Sequence, residues 1–401
     1  MVAARAGAPR GPRGDDAEVT LSTRRLLVAS AAVLAAVWLL ALGSSADAPA
    51  QSGFDCQGDF TGGFPDPDPA EDPLRFGIYP GGVAGQVVGP PADPKPEDRR
   101  EIVAALDELS GERHFVVHLY ISFTGTPAQR KAVRRAKRQA RRYSRNGYGV
   151  EYVLAYRPAD RAGTPDVRKY VRFSRRMVRR FGRIEGVEAI QVTNEVNNTL
   201  SPDASDGAYP GARAALVRGV VAAARKARKV GRRDIEIGFN WFHRLDPSND
   251  EGFWTELGET GGRRFARSVD WVGLDVYPGT FFPPPAVPRA DAVINAMSYL
   301  RECMMPLAGL GDRVPIHVSE NGWPTAPPAR SYEEQATALQ EMVRAVDTYR
   351  ANYGVTDYRW FDLRDADSSS PNFQQQFGLM RDDYTPKPAF DVYRDLIAEL
   401  G

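Results

Sequence analysis

Eight short apolar runs, separated by amphipathic helical patterns along residues 75–401, restrict what this chain can fold into more than any other feature. They lie at Arg75 to Tyr79, Phe115 to Ile121, Val150 to Ala155, Ala189 to Thr193, Ile235 to Phe239, Trp271 to Val276, Pro315 to Ser319 and Tyr358 to Leu363. Near-continuous rather than alternating apolar character marks strands covered on both faces, the condition of a parallel sheet. Between them the helical period is clear. Val167, Tyr170, Val171, Ser174, Met177, Val178 and Phe181 share one face, while Arg168, Lys169, Arg172, Arg175, Arg176, Arg179 and Arg180 largely fill the rest. Ser331 with Glu334 reads as a capping box, and Gly231 follows an Ala/Val-rich helix over about residues 212–230. Eight strands each followed by a helix predict an α/β fold closed as a (β/α)8 TIM barrel. A doubly wound open sheet is the alternative, but the glycines from Gly77 to Gly85 lack the spacing of a phosphate-binding fingerprint.

The N-terminal quarter has a different composition. Residues 1–25 read as a cytoplasmic head, and Leu26 to Gly43 is apolar apart from Ser30, follows Arg24-Arg25 and leads into Ala46-Asp47-Ala48. That pattern is an export signal, either a cleaved signal peptide or a retained membrane anchor. Thr23-Arg24-Arg25-Leu26-Leu27 partly matches a twin-arginine signal. Residues 44–74 read as an acidic, flexible stalk without Lys or Arg up to residue 72, and residues 75–401 as the barrel domain. The expected location is therefore extracytoplasmic, secreted or tethered to the outer face of the membrane. Export permits a bridge between Cys56 and Cys303, the two cysteines present, with two separate thiols as the other reading.

His114 and His118 share a face of an apparent strand, and with His243 and His317 they are too scattered for a zinc site, so neither metal nor organic cofactor is expected. A net charge of +1 offers no global reason for a nucleic-acid or membrane-surface partner, and a monomer is expected. Thr126 to Arg145 holds nine basic residues and no acidic one, yet Val133, Ala136, Ala140 and Tyr143 trace an apolar stripe. An outer barrel helix with a solvated basic face accounts for both. Such a patch would also suit an anionic polymer outside the cell, or the acidic stalk folding back.

Two segments carry the chemistry. Val192-Thr193-Asn194-Glu195-Val196 and Val318-Ser319-Glu320-Asn321-Gly322-Trp323-Pro324 each place a glutamate just after a strand-like run, the fourth and the seventh. Barrel enzymes react at the carboxyl ends of their strands. Breaking a glycosidic bond through an oxocarbenium-like transition state needs one carboxyl group to protonate the leaving oxygen and a second to attack the anomeric carbon.

These segments resemble those of the clan of retaining (β/α)8 glycoside hydrolases with an Asn-Glu acid/base after strand four and a nucleophilic Glu after strand seven. The wording is most similar to the β-1,3-glucanase family, although Thr193 stands where that family usually has glycine and Asn321 where it usually has serine or threonine. The resemblance covers about residues 75–400. It implies Glu195 as acid/base, Glu320 as nucleophile, Asn194 as the amide on the sugar 2-hydroxyl, Tyr277 as a hydrogen-bond donor to the nucleophile and Trp360 as an aromatic floor. Trp323, Trp241, Tyr79, Phe281 and Phe282 are further stacking candidates, and Asn240, Asp275 and Arg157 lie near strand ends where hydroxyl groups would bind. No arginine stands at the end of the second strand, where many clan members keep one near the nucleophile. The expected function is a retaining β-glycosidase hydrolysing a polysaccharide, with a β-glucan favoured. A transglycosylase using the same residues and a non-catalytic carbohydrate-binding protein are the alternatives.

Overall fold

Parallel strands β1 (Arg75–Ile78), β2 (Phe115–Phe123), β3 (Gly149–Tyr156), β4 (Val187–Val192), β5 (Glu236–Phe242), β6 (Trp271–Val276), β7 (Ile316–Asn321) and β8 (Val355–Trp360) pair in chain order, and β8 closes onto β1. In the computed structural model, which describes residues 64–83, 94–161, 163–243, 247–281 and 287–401, this is the expected (β/α)8 barrel. Its outer layer is α1 (Arg99–Ser110), α2 (Gln129–Arg145), α3 (Val167–Phe181), α4 (Ala212–Lys229), α5 (Pro247–Ala266), α6 (Arg289–Ser298), α7 (Tyr332–Tyr353) and α8 (Pro388–Leu400). The apolar segment 26–43, residues 44–63 of the stalk and Cys56 lie outside the described residues. Among the described residues no helix is long and apolar enough to cross a membrane.

Local chemistry explains the element ends. Asp98 caps α1 by accepting from the backbone amide of Arg100 at 2.8 Å, and Ser331 caps α7 by accepting from that of Glu334 at 3.0 Å. Gly354 ends α7 at φ 65°, a left-handed conformation that glycine adopts without steric cost, and the chain enters β8 at once. That turn starts β8 three residues earlier than expected, while β5 runs three residues further, to Phe242. The α2 stripe is buried as expected; on α3 Phe173 is buried and Val171 only partly so. Residues 64–72 do not hang free. Asn352 of α7 donates to the Asp66 carbonyl at 3.0 Å and accepts from the Asp68 amide at 3.0 Å.

The barrel interior carries charge. Arg359 of β8 reaches Glu151 of β3 at 3.4 Å, a contact between strands that are not neighbours and so one that crosses the interior. Arg359 also pairs with Asp357 at 2.6 Å, and Arg75 meets the other oxygen of Asp357 at 2.7 Å. His118 is buried inside this network, whereas His114 sits at the rim against Glu188, so the two do not act as one packing face. Buried charges are tolerable here because each has a partner of opposite sign.

Candidate active site

Glu195 lies three residues past β4, and Glu320 is the penultimate residue of β7, both at the carboxyl end of the barrel. The turn after β4 takes two non-glycine residues into the left-handed region, Thr193 at φ 69° and Glu195 at φ 43°. A β-branched residue is rarely found there, which is the physical reason a glycine suits position 193. Surrounding bonds impose it. The Thr193 amide donates to Leu154 O at 3.2 Å and to the Tyr170 hydroxyl at 3.0 Å. The buried Asp206 carboxylate accepts from the backbone amides of Asn194 at 2.8 Å and Tyr156 at 2.6 Å, and from Arg157 Nε at 3.3 Å. Arg157 thus staples this loop.

Asn240 ties the acid to its neighbours. Its Oδ1 accepts from the Glu195 amide at 2.8 Å, while its Nδ2 donates to Asn194 Oδ1 at 3.1 Å and to Asp275. Asn194 also accepts from Gln191 at 3.1 Å and donates to Ala204 O at 3.0 Å, so three protein groups fix its orientation. Asn198 Nδ2 donates to Glu195 Oε2 at 3.3 Å.

On β7, Ser319 bonds Asp275 at 2.6 Å while the next residue, Glu320, meets Tyr120 and Tyr277. Consecutive strand residues normally point to opposite faces. The β7–β8 register shifts between Val318 and Asn321, and that irregularity turns both side chains inward. Glu320 then accepts from the Tyr120 hydroxyl at 2.5 Å on Oε1 and from the Tyr277 hydroxyl at 2.9 Å on Oε2. One carboxylate oxygen from each of Glu195, Asp275 and Glu320 lies within 4.8 Å of the others, and all three residues are buried.

Behind Tyr120 stands a relay. His118 Nε2 lies 2.9 Å from the Tyr120 oxygen and Nδ1 lies 2.8 Å from Glu151 Oε1. The tyrosine has one hydroxyl proton, and it goes to Glu320; the Tyr120 oxygen is left to accept from His118 Nε2. Burial would raise Glu151, but the charge and hydrogen bond of His118 and the charge of Arg359 outweigh it and hold that carboxyl at about 2. An imidazole hydrogen-bonded to a tyrosine thus stands behind Glu320, on the strand where no arginine was found. Sequence reasoning missed this chain, and it also missed Asn198.

Burial, then the charge of Glu320, pushes Glu195 up to about 8. The same two causes, burial first, push Asp275 well above the usual carboxylate range. Three clustered carboxyls are an oxygen donor set of the kind a hard divalent cation takes. Here the Asp275 oxygens already accept from Ser319 and Asn240, and those of Glu320 from two tyrosines.

Three expected stacking residues do not line the mouth. Trp360 has no exposed surface and packs against Tyr393 of α8, because its position on β8 shares the outward face with Tyr358. Trp241 is likewise fully buried, against Trp254 of α5 and Tyr299. Trp323 is nearly buried, with the guanidinium groups of Arg289 and Arg330 4.8 and 5.0 Å from its ring centre. The partly exposed aromatic pair is Tyr79 stacked on Phe361 at 5.2 Å, with Phe281 in a second cluster with Tyr277 and Phe377. Phe282 lies outside the described residues.

No protein-family model matches this chain, and no curated protein matches it. Solved structures do. A GH5_18 from Bifidobacterium longum subsp. infantis superposes with a TM-score of 0.58 at 14% identity, over 82% of this chain and 79% of that one. One of two fungal β-1,4-galactanases gives 0.53 at 15% identity over 81% and 100%. A family 1 β-glucosidase from Thermotoga maritima, in complex with isofagomine lactam, gives 0.54 at 12% identity over 76% and 87%. At these identities the likeness shows the barrel fold.

Proposed function

We propose that this protein is a retaining β-glycosidase working by double displacement, with Glu320 as nucleophile and Glu195 as acid/base. The observation that carries the reading is the approach of the Glu195 and Glu320 carboxylates to within 4.8 Å, in unlike surroundings. Retaining glycosidases hold their carboxyl groups about 5–5.5 Å apart, and inverting ones about 6.5–9.5 Å to leave room for a water. Glu195, pushed up to about 8, keeps its proton at neutral pH and can deliver it to the departing glycosidic oxygen. Glu320, with two tyrosine hydroxyls aimed at it, attacks the anomeric carbon. Water then loses its proton to Glu195 and displaces the sugar from Glu320, restoring both groups. Proton NMR of the first-formed sugar tests this, with the β-anomer expected; an α-anomer formed first would overturn it.

The pH profile has a determined sign. Because Glu195 must be protonated for the first step, kcat/KM should fall as pH rises through about 8, and Glu195→Gln, measured on an activated aryl glycoside, should lack that limb. A limb that persists in the variant belongs to another group.

Tyr120→Phe removes a donor from Glu320 and leaves His118 facing an apolar ring. We expect kcat to fall about 10- to 100-fold with KM changed little, in the range of a lost hydrogen bond to a charged group. A change confined to KM would reassign Tyr120 to sugar binding.

For substrate we favour a β-linked glucan, with a β-1,3 linkage first. The Tyr79–Phe361 pair can stack on sugar faces left apolar by equatorial hydroxyls. Both departures from the β-1,3-glucanase wording are buried and turned to protein: Thr193 bonds Val192 O, and Asn321 bonds Tyr358 and Val276 at 2.5 Å each. One structural neighbour is a β-1,4-galactanase, so kcat/KM on laminarin-type β-1,3-glucan should be compared with β-1,4-mannan and β-1,4-galactan; preference for either of the latter would reject the glucan. The export-type pattern of residues 26–43 supports an extracytoplasmic location in this reading.

A further inference from the structure

Charge on the outside of the barrel is segregated. The whole chain has a net charge of +1, yet the consecutive helices α2, α3 and α4 carry nine, seven and six Lys and Arg respectively and no Asp or Glu. Across the ring the same chain pairs its arginines: Arg289 with Glu341, Arg344 with Glu399, Arg394 with Glu108 and Asp391. Among the described residues the α2–α4 cations that form ion pairs within 4 Å are Arg135, Lys169 and Arg213, and Arg228 acts on Asp270 through its charge. Like charges repeat at i, i+4, as in Arg134, Arg138, Arg142 and Arg172, Arg176, Arg180, a spacing that destabilises a helix. Partial desolvation and then the charges of Arg179, Lys229 and Arg175 push Lys226 down, so cations on α3 and α4 feel one another.

Four clefts of about 240 to 490 Å³ run side by side over this face. Arg172 and Arg176 belong to both the first and the second, Arg175 and Lys226 to the second and third, Arg225 and Arg264 to the third and fourth. They form one continuous cationic tract.

We propose that this tract binds a linear polyanion bearing phosphate groups, laid across the four clefts. A thread reaches cleft floors that a flat bilayer cannot. A phosphate offers oxygens in several directions and so can be met by guanidinium groups from two helices at once, whereas a carboxylate presents one edge. The aromatic rings at these clefts, Phe123 and Phe173, are buried, so nothing on the face stacks on bases and recognition is of the charged backbone. The acidic stalk is a poorer occupant, because its described part, residues 64–72, lies on α7, opposite α3 in the ring.

The test is fluorescence anisotropy of the full chain with end-labelled linear polyphosphate. Affinity should fall about 100-fold or more between about 50 and 200 mM salt, as release of counterions from several phosphates requires. Replacing Arg175, Arg225 and Lys226 together by Glu should weaken binding about 10-fold or more and flatten the salt slope by about 2. An equal charge change off the face, Arg99→Glu with Arg100→Glu and Arg381→Glu, should leave affinity within about twofold. The same triple to Gln, with its thermal midpoint unchanged, guards against misfolding and should also bind less tightly. Equal weakening by the control triple, equal binding of polyglutamate of matched charge, or tighter binding to vesicles of phosphatidylglycerol with phosphatidylcholine would each overturn the proposal.

Discussion

Glu320→Gln protein is expected to lose turnover on every substrate by about 10⁴-fold or more, because the amide cannot act as the attacking carboxylate of the proposed reaction. Glu195→Gln should behave differently. On natural polysaccharide it should lose about 10²- to 10⁴-fold, the usual contribution of a general acid, yet keep measurable release of an aryl group that leaves without a proton. The two glutamates differ in surroundings rather than in kind. Glu195 has only neutral hydrogen-bond partners, Ser205 and Asn198, the latter at 3.3 Å, and lies buried beside a second carboxylate; burial and that charge outweigh them and favour the protonated form. Glu320 receives two hydroxyl donors, at 2.5 and 2.9 Å. With a fluorinated aryl glycoside that leaves readily, mass spectrometry should find the glycosyl group on Glu320 in the Glu195→Gln protein. Accumulation in the Glu320→Gln protein instead would exchange the roles.

Lys387→Met should destabilise the barrel by about 3–5 kcal/mol, the usual result of removing one partner from a buried ion pair. Lys387 and Asp365 have no exposed side-chain surface and meet at 2.7 Å. Burial pulls Lys387 down and Asp365 up, so each is held charged by the other. Lys387 Nζ also donates to Thr325 at 2.9 Å, and Asp365 accepts from the Gly378 amide at 2.9 Å. The pair therefore joins the loops after β7 and β8 to the start of α8, and these loops carry Phe361 and Phe377 at the mouth. Urea unfolding measures the loss. Adding Asp365→Leu to Lys387→Met should recover much of it, since an apolar pair of similar volume removes the unpaired charge. A double variant as unstable as the single would point to packing rather than charge.

What was legible in the sequence was local. The apolar stripe of α2, the Ser331 cap and the run of parallel-type strands depend on residues within a turn or two of one another, so the barrel followed from periodicity. The gathering of Glu195, Glu320 and Tyr277 at one end of the barrel was legible because each lies at or just past a strand end, and a strand end is a local event.

The tertiary structure decided the rest. Trp360 was expected as an aromatic floor from the family resemblance and Trp241 as a stacking candidate, but both pack outward, against Tyr393 and Trp254, and which face a strand residue presents is set by how the strands pair. Tyr120, His118 and Glu151 carry no local signal, since His118 alone reads as a strand residue. They become a relay only when closure brings β2 across the interior to β7, joining residues 200 positions apart in the chain. The bulge that turns Ser319 and Glu320 inward together is equally a property of pairing with β8. Periodicity specifies which elements form; barrel closure and register specify which side chains meet, because those contacts run between strands and not along them.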